Sequence, residues 1–248
     1  MIKRLSLILI ALAILILTLA CTINVGGLGR RTVRGSSRVI DETREVEGIE
    51  AVELATIGTL FIEVGDEETL RVEAEDNLLP YINTEVRSGM LLIDTDPQTN
   101  LRNTRPIHYY LTVRELNAIR LSSSGDAEAP DLDAGRFEIR VSSSGNLTMG
   151  ALSCDTCDLR LSSSGDVDLD GVYGDRLDVR ISSSGDLTID GGDVERQEVR
   201  LTSSGNYNAE DLDSENASVQ ISSSGSARVW VDGQLEADLS SSGNLTYY

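Results

Sequence analysis

The stretch Ile119-Arg120-Leu121-Ser122-Ser123-Ser124-Gly125-Asp126-Ala127 decides the fold, because it returns twenty residues later as Ile139-Arg140-Val141-Ser142-Ser143-Ser144-Gly145-Asn146-Leu147 and keeps returning. The tetrad ends again at Gly165, Gly185, Gly205 (with Thr202 leading), Gly225 and Gly243, at intervals of 20 residues until a last interval of 18. Self-similarity at a fixed period marks a solenoid, whose repeats cannot bury their apolar faces singly. Without the period, the same Ser and Gly content would read as linker.

Alignment on the glycine sorts the apolar residues into columns. Six residues before it stand Ile119, Ile139, Leu159, Val179, Val199, Val219 and Ala237; four before stand Leu121, Val141, Leu161, Ile181, Leu201, Ile221 and Leu239. Two after stand Ala127, Leu147, Val167, Leu187, Tyr207, Ala227 and Leu245, and four after begin Ala129, Met149, Leu169, Ile189. These even offsets and their β-branched enrichment mean strand, and nothing repeats at helical spacing. Leu132, Leu152, Val172, Leu212 and Trp230 fall at an odd offset, so the chain has turned a corner before them. A coil returning above its own start pairs each strand with its copy in parallel, about 4.8 Å away. The expected fold is all-β, a parallel β-helix (β-solenoid) of about 20 residues per coil, right-handed by the crossover rule. Ser123 and Gly125, at inward parity with little side-chain volume, mark a corner or a pinched edge.

The pattern starts earlier in weaker form: Val52, Leu54, Leu60 and Ile62 reproduce the offsets around Gly58. Residues 45–248 therefore read as one solenoid domain, with degenerate N-terminal coils over 45–115 and regular repeats over 116–248. The 248 residues carry a formal charge of −20, from 21 basic and 41 acidic groups. Residues 1–40 hold six basic groups and no acid, which leaves the rest at −26. Nucleic-acid binding needs a basic face, so no such partner is expected. Forty per cent hydrophobic but 4% aromatic content predicts an aliphatic core.

Lys3 and Arg4 precede an apolar run over residues 5–20, the layout of an export signal. At 16 residues it is shorter than the roughly 20 that a membrane span needs. Leu17-Thr18-Leu19-Ala20-Cys21 resembles a lipobox, with Thr18 where an aliphatic is usual. Residues 1–20 are then a lipoprotein-type signal peptide, Cys21 the lipidated residue and 21–44 a flexible basic tether with glycines among Arg30, Arg31 and Arg34, near anionic head groups. The expected location is extracytoplasmic, lipid-anchored to the cell membrane.

The opening Glu45-Val46-Glu47-Gly48-Ile49-Glu50-Ala51-Val52-Glu53-Leu54, the stretch Glu75-Asp76-Asn77-Leu78-Leu79-Pro80-Tyr81-Ile82, Gly89-Met90-Leu91-Leu92-Ile93 and the iterated serine corners together resemble a bacterial family, the putative auto-transporter adhesin, head GIN domain. The resemblance spans about residues 45–245. Family tetrads more often read Ser-Gly-Ser-Gly; here serine replaces the middle glycine, which stiffens the corner. The resemblance implies an extracytoplasmic β-helical protein of poorly defined function. No terminal run of amphipathic strands suggests an outer-membrane barrel, so self-transport is not expected.

Chemistry is left to the outward columns. Arg120, Arg140, Arg160, Arg180 and Arg200 form one, beside an acidic column of Glu138, Asp158, Asp178 and Glu198. Such rows serve as a self-compensating charge ladder or as a grip on a cell-surface glycan or protein. A second ladder follows the glycine: Asp126, Asn146, Asp166, Asp186 and Asn206. Asp166, Asp168, Asp170 and Gly171 match the first half of a calcium loop, but Leu177 stands where the bidentate Glu belongs. Apart from that weak calcium candidate, no metal or cofactor is expected. Cys154 and Cys157 either pack as apolar residues or form a local disulfide. His108, beside Tyr109 and Tyr110, is the one irregular place that merits inspection. The uniform repeat predicts a non-catalytic binding, adhesion or structural surface; the alternative is a polysaccharide-cleaving β-helix enzyme working through carboxylates. An uncapped last strand would invite end-to-end self-association.

Overall fold

The computed structural model describes residues 30–248; the leader, Cys21 and the first residues of the tether lie outside the described residues. Eleven strands lead into the regular coils: β1 (Arg31–Arg34), β2 (Val39–Arg44), β3 (Ala51–Ala55), β4 (Thr59–Val64), β5 (Thr69–Glu75), β6 (Ile82–Arg87), β7 (Met90–Thr95), β8 (Thr99–Arg102), β9 (His108–Val113), β10 (Ala118–Leu121) and β11 (Asp126–Ala129). Beyond β11 each coil has three faces. In one coil, residues 156–161 form the first face, Val167–Leu169 the second after the serine corner, and Gly171–Tyr173 the third. Copies pair in parallel with the copy twenty residues on, as Leu159 with Val179 and Val167 with Leu187, until the last coil, which pairs eighteen residues on, as Ile221 with Leu239.

The columns read from the sequence are the core. Ile139, Val141, Leu147, Leu159, Val167 and Leu187 are fully buried, and the odd-offset set Leu132, Leu152, Val172 and Leu212 is buried on the third face. Burying each such side chain contributes about 1.5–3 kcal/mol. The ladder hydrogen bonds come from neighbouring coils, so no helix is needed to cover a sheet edge.

The serine corner is where successive coils approach most closely. A Cβ placed on Gly145, Gly165, Gly185, Gly205 or Gly225 would collide with the carbonyl oxygen of the glycine one coil earlier. None of these five glycines has positive φ, so the requirement is for space and not for an unusual backbone conformation. The amides of Ser142, Ser162, Ser182 and Ser222 donate to carbonyls of the preceding coil, which carries the ladder into the corner.

The N-terminal region departs from a simple series of coils. The coil expected around Gly58 is present, with Val52 opposite Ile119, Leu54 opposite Leu121 and Leu60 opposite Ala127. It is not the outermost coil, because β7 and β9 pair in parallel with the other edges of β3 and β4. Antiparallel strands then close that end: β6 on β7, β5 on β9, and β2 on β5. The expectation of a flexible tether over 21–44 is corrected for its described part. Residues 31–34 pair in parallel with β8 and residues 39–44 with β5, because both edges carry otherwise unmet backbone groups. The last coil departs from the expected inward columns: with no further coil to cover them, Trp230, Leu239 and Tyr247 are exposed, and Trp230 stacks on Tyr248 with centroids 6.1 Å apart.

Gly165→Ala should destabilise the protein by about 1–3 kcal/mol through overpacking, whereas exposed Ser164→Ala should stay within about 0.5 kcal/mol. Urea unfolding of the two variants checks this; equal stability would contradict a glycine ladder set by close approach.

Candidate functional site

The arginine column lies outward on the first face, each residue opposite the next: Arg120, Arg140, Arg160, Arg180, Arg200. Glu138 bridges two coils, 2.8 Å from Arg120 Nε and 3.0 Å from Arg140 Nη2. Burial would raise the Glu138 carboxyl, but the hydrogen bond and charge of Arg120, with Arg140, bring it below its ordinary value. Arg160 pairs with Asp158 at 2.6 Å, while Arg176 reaches both Asp178 and Glu198 at 3.0 Å. Arg200 donates to the Gln220 side chain at 2.8 Å. Among the described residues, Arg180 and Arg200 have no carboxylate within ion-pair distance, and they line a shallow groove with Asp178, Glu198 and Ser218. The first half of the column is therefore internally compensated. In its second half Arg180 and Arg200 lie beside carboxylates without an ion pair, Arg200 hydrogen-bonded to Gln220.

The Asp/Asn ladder has a backbone task. Asp126 Oδ1 accepts the amide of Asn146 at 2.8 Å, Asn146 Oδ1 that of Asp166 at 3.0 Å, Asp166 Oδ1 that of Asp186 at 2.8 Å and Asp186 Oδ1 that of Asn206 at 2.9 Å. Only Asp and Asn place an oxygen at this reach, which explains why the two alternate freely. One oxygen of each is thus committed to the neighbouring coil, and the Asn206 amide nitrogen is committed too, donating to Asp186 Oδ1 at 2.8 Å.

The calcium reading does not match the local structure. Val167–Ile181 is continuous strand and not a loop, so Asp166, Asp168 and Asp170 point outward at alternate positions without converging. Among the described residues no cluster of three acidic, His or Cys groups is close enough to hold a metal ion. Burial, then the charges of Asp166 and Asp190, hold the Asp168 carboxyl above its ordinary value. Cys154 and Cys157 are joined by a disulfide and both are buried, so the two alternatives for the pair hold together.

His108 is half-buried, its Nδ1 3.1 Å from Glu73 Oε1. Tyr109 points into the core, while Tyr110 faces outward between Phe61, with ring centroids 5.3 Å apart, and the Arg71 guanidinium, 3.8 Å from the ring centroid. Both faces of that ring are occupied by neighbours in the same row, so the group is a self-stacked ladder.

Two features carry no signal in the repeat. Gln197 occupies the column of Phe137, Cys157 and Leu177 yet is fully buried; its amide nitrogen donates to Ser214 Oγ at 2.8 Å and its oxygen accepts from Tyr207 at 3.1 Å. Burial pushes the Tyr207 hydroxyl far above its usual range. The second feature is Glu75, fully buried with no cation in ion-pair distance among the described residues. It accepts the Ser37 amide at 2.5 Å, the Thr104 amide at 2.8 Å and the Thr104 hydroxyl at 2.6 Å. Asn77 receives the Ser36 amide at 2.8 Å and donates to the Arg34 carbonyl at 2.8 Å. The Glu75-Asp76-Asn77 stretch is thus a clasp that fastens the N-terminal segment onto the cap. A side chain at Gly35 would collide with the Glu75 carboxylate.

The family model described as putative auto-transporter adhesin, head GIN domain, matches residues 49–174 and 150–248. Among solved structures, a putative adhesin from Bacteroides fragilis is 17% identical with a TM-score of 0.79, covering 87% of this chain and 100% of its own. A putative adhesin from Parabacteroides merdae is 14% identical with a TM-score of 0.75, covering 88% and 99%. A structure from Parabacteroides distasonis titled as a putative lipid binding protein is 18% identical with a TM-score of 0.65, covering 88% and 100%. At these identities the likeness shows the fold. No curated protein matches.

Two outcomes follow for stability. Asp166→Asn keeps the oxygen that accepts the next coil's amide and should be near neutral, whereas Asp166→Ala should cost about 1 kcal/mol, measured by urea unfolding. Burial would raise the Glu75 carboxyl, but the donors from Thr104, then Ser37 and Arg105, lower it. Its stabilisation is therefore present above the unfolded value of about 4.3 and is lost as pH falls through the lower folded value. Glu75→Gln should flatten that acid-side loss while weakening the protein near pH 7; an unchanged pH profile would contradict the clasp.

Proposed function

The chain belongs to the family of the putative auto-transporter adhesin, head GIN domain, and from that premise we propose that it is an extracytoplasmic lipoprotein, anchored through Cys21, whose solenoid presents a non-catalytic binding or adhesion surface. The observation that carries this is the outward row of arginines with its acidic companion, repeated coil after coil without a break of the kind a catalytic centre makes. The groove at Arg180 and Arg200, with carboxylates at its edge, suits a cell-surface glycan or protein that offers paired acidic and hydroxyl groups. A repeating array engages such a partner at several points, so weak contacts combine by effective concentration. The family description supports adhesion, and no helix among the described residues is long and apolar enough to cross a membrane.

The anchor is tested by Cys21→Ser, expected to move the protein from the membrane to the soluble fraction; full retention would contradict lipidation. The surface is tested on a glycan and cell-wall array. Arg180→Ala with Arg200→Ala should weaken binding by about tenfold or more, with binding falling as salt rises. Release of products from a polysaccharide panel would instead favour an enzyme.

A further inference from the structure

The β1–β8 pair gathers an arginine cluster that the binding surface does not use. Arg34 lies directly across from Arg102 in the parallel register. The strands continue side by side, with the Gly35 amide donating to the Arg102 carbonyl at 3.0 Å and the Ser37 and Thr104 hydroxyls 3.0 Å apart, which adds Arg38 and Arg105 to the same patch. Arg30 and Arg31 precede it, Arg31 on the opposite face of the ribbon with Val33 and Leu101, and all six arginines are exposed. Among the described residues only Arg38 of these has a carboxylate within ion-pair distance, Asp76 at 3.6 Å. Elsewhere on the chain most cations alternate with acids; here Arg34, Arg38, Arg102 and Arg105 outnumber the buried Glu75 carboxylate and Asp76 beside them, at one end of a body that carries −26 over residues 41–248.

Like charges directly opposite in a sheet destabilise it, and a two-stranded sheet has little stability to lose. This one persists because Glu75 and Asn77 clasp the segment that follows β1, so the fold holds the arginines together against their repulsion. An external anion would relieve that repulsion. Position points to which anion: Arg30 stands nine positions after Cys21, a reach of at most roughly 30 Å when fully extended. A cluster so close to an anchored cysteine cannot leave the neighbourhood of the bilayer.

We propose that this folded arginine cluster docks the N-terminal end of the solenoid onto anionic phospholipid headgroups. The proposal rests on the anchored reading above. It differs from a charged tether in requiring Arg102 and Arg105, which join the cluster only through folding.

The test uses the full chain reconstituted into vesicles, with a fluorophore on Thr32→Cys, which lies on β1, and a nitroxide quencher on the lipid headgroups. In vesicles containing phosphatidylglycerol, quenching should be strong at low salt and relieved at high salt; in pure phosphatidylcholine it should be weak. Arg34→Gln with Arg102→Gln should weaken docking by roughly fivefold for each arginine, while the charge-matched control Arg136→Gln with Arg228→Gln should not. Equal quenching in both lipids, or equal effects of the two double variants, would overturn the proposal. So would displacement by soluble polyphosphate without dependence on lipid composition, which would assign the cluster to a soluble polyanion. Failure of the anchor shows separately, as loss of the unsubstituted chain from floated vesicles of both compositions.

Discussion

The approach of one glycine's carbonyl to the next glycine, coil above coil, is the constraint on which the rest of the molecule depends. With no room for a Cβ at Gly145, Gly165, Gly185, Gly205 or Gly225, the corner stays thin and successive coils remain in register. Register in turn places Leu159 over Val179 and Arg160 over Arg180, so one steric fact determines both the aliphatic core and the charged exterior. The Asp/Asn ladder beside the glycines supplements the corner's backbone hydrogen bonds. An exposed, functional-looking column is thereby largely a structural one.

Legibility in the sequence follows the range of the interactions. The regular coils could be read because their partners are copies at a fixed separation, so period two and period twenty report pairing directly. The coil at Gly58 was legible for the same reason, since its columns match those of Ile119 and Leu121. The antiparallel cap was not, because β5 pairs with β2 and β9 across separations that no period encodes. The segment at 31–44 looked like tether because its glycines and arginines carry no apolar alternation; only the donors and acceptors offered by β8, β5 and Glu75 order it. Gln197 was invisible for the opposite reason: the apolar column expects Leu, and a polar residue is admitted there because Tyr207 and Ser214 satisfy it.

Of the candidate surface, the arginine and acidic columns were legible as residues, but their pairing was not. Sequence spacing treats Arg120 and Arg180 alike, whereas the structure engages the first with Glu138 and leaves the second without a carboxylate in reach. The difference arises from the side chains beside each rung, which vary between coils although the columns do not. A solenoid can thus hold its frame constant while each coil tunes how much of its charge remains available to a partner.

The placement of β3 and β4 between two other coils bears on how the chain acquires its shape. One edge of this first coil is filled by residues 90–95 and 108–113, the other by residues 118–121 and 126–128. The N-terminal end therefore cannot assemble as the chain emerges. It is complete only when partners 67 residues apart have met, Ala51 with Ala118 and Thr59 with Asp126, after which each further coil can be laid onto a finished template from local contacts alone. The slow, non-local step is confined to one end of the molecule, and the number of coils beyond it can vary without reopening that step.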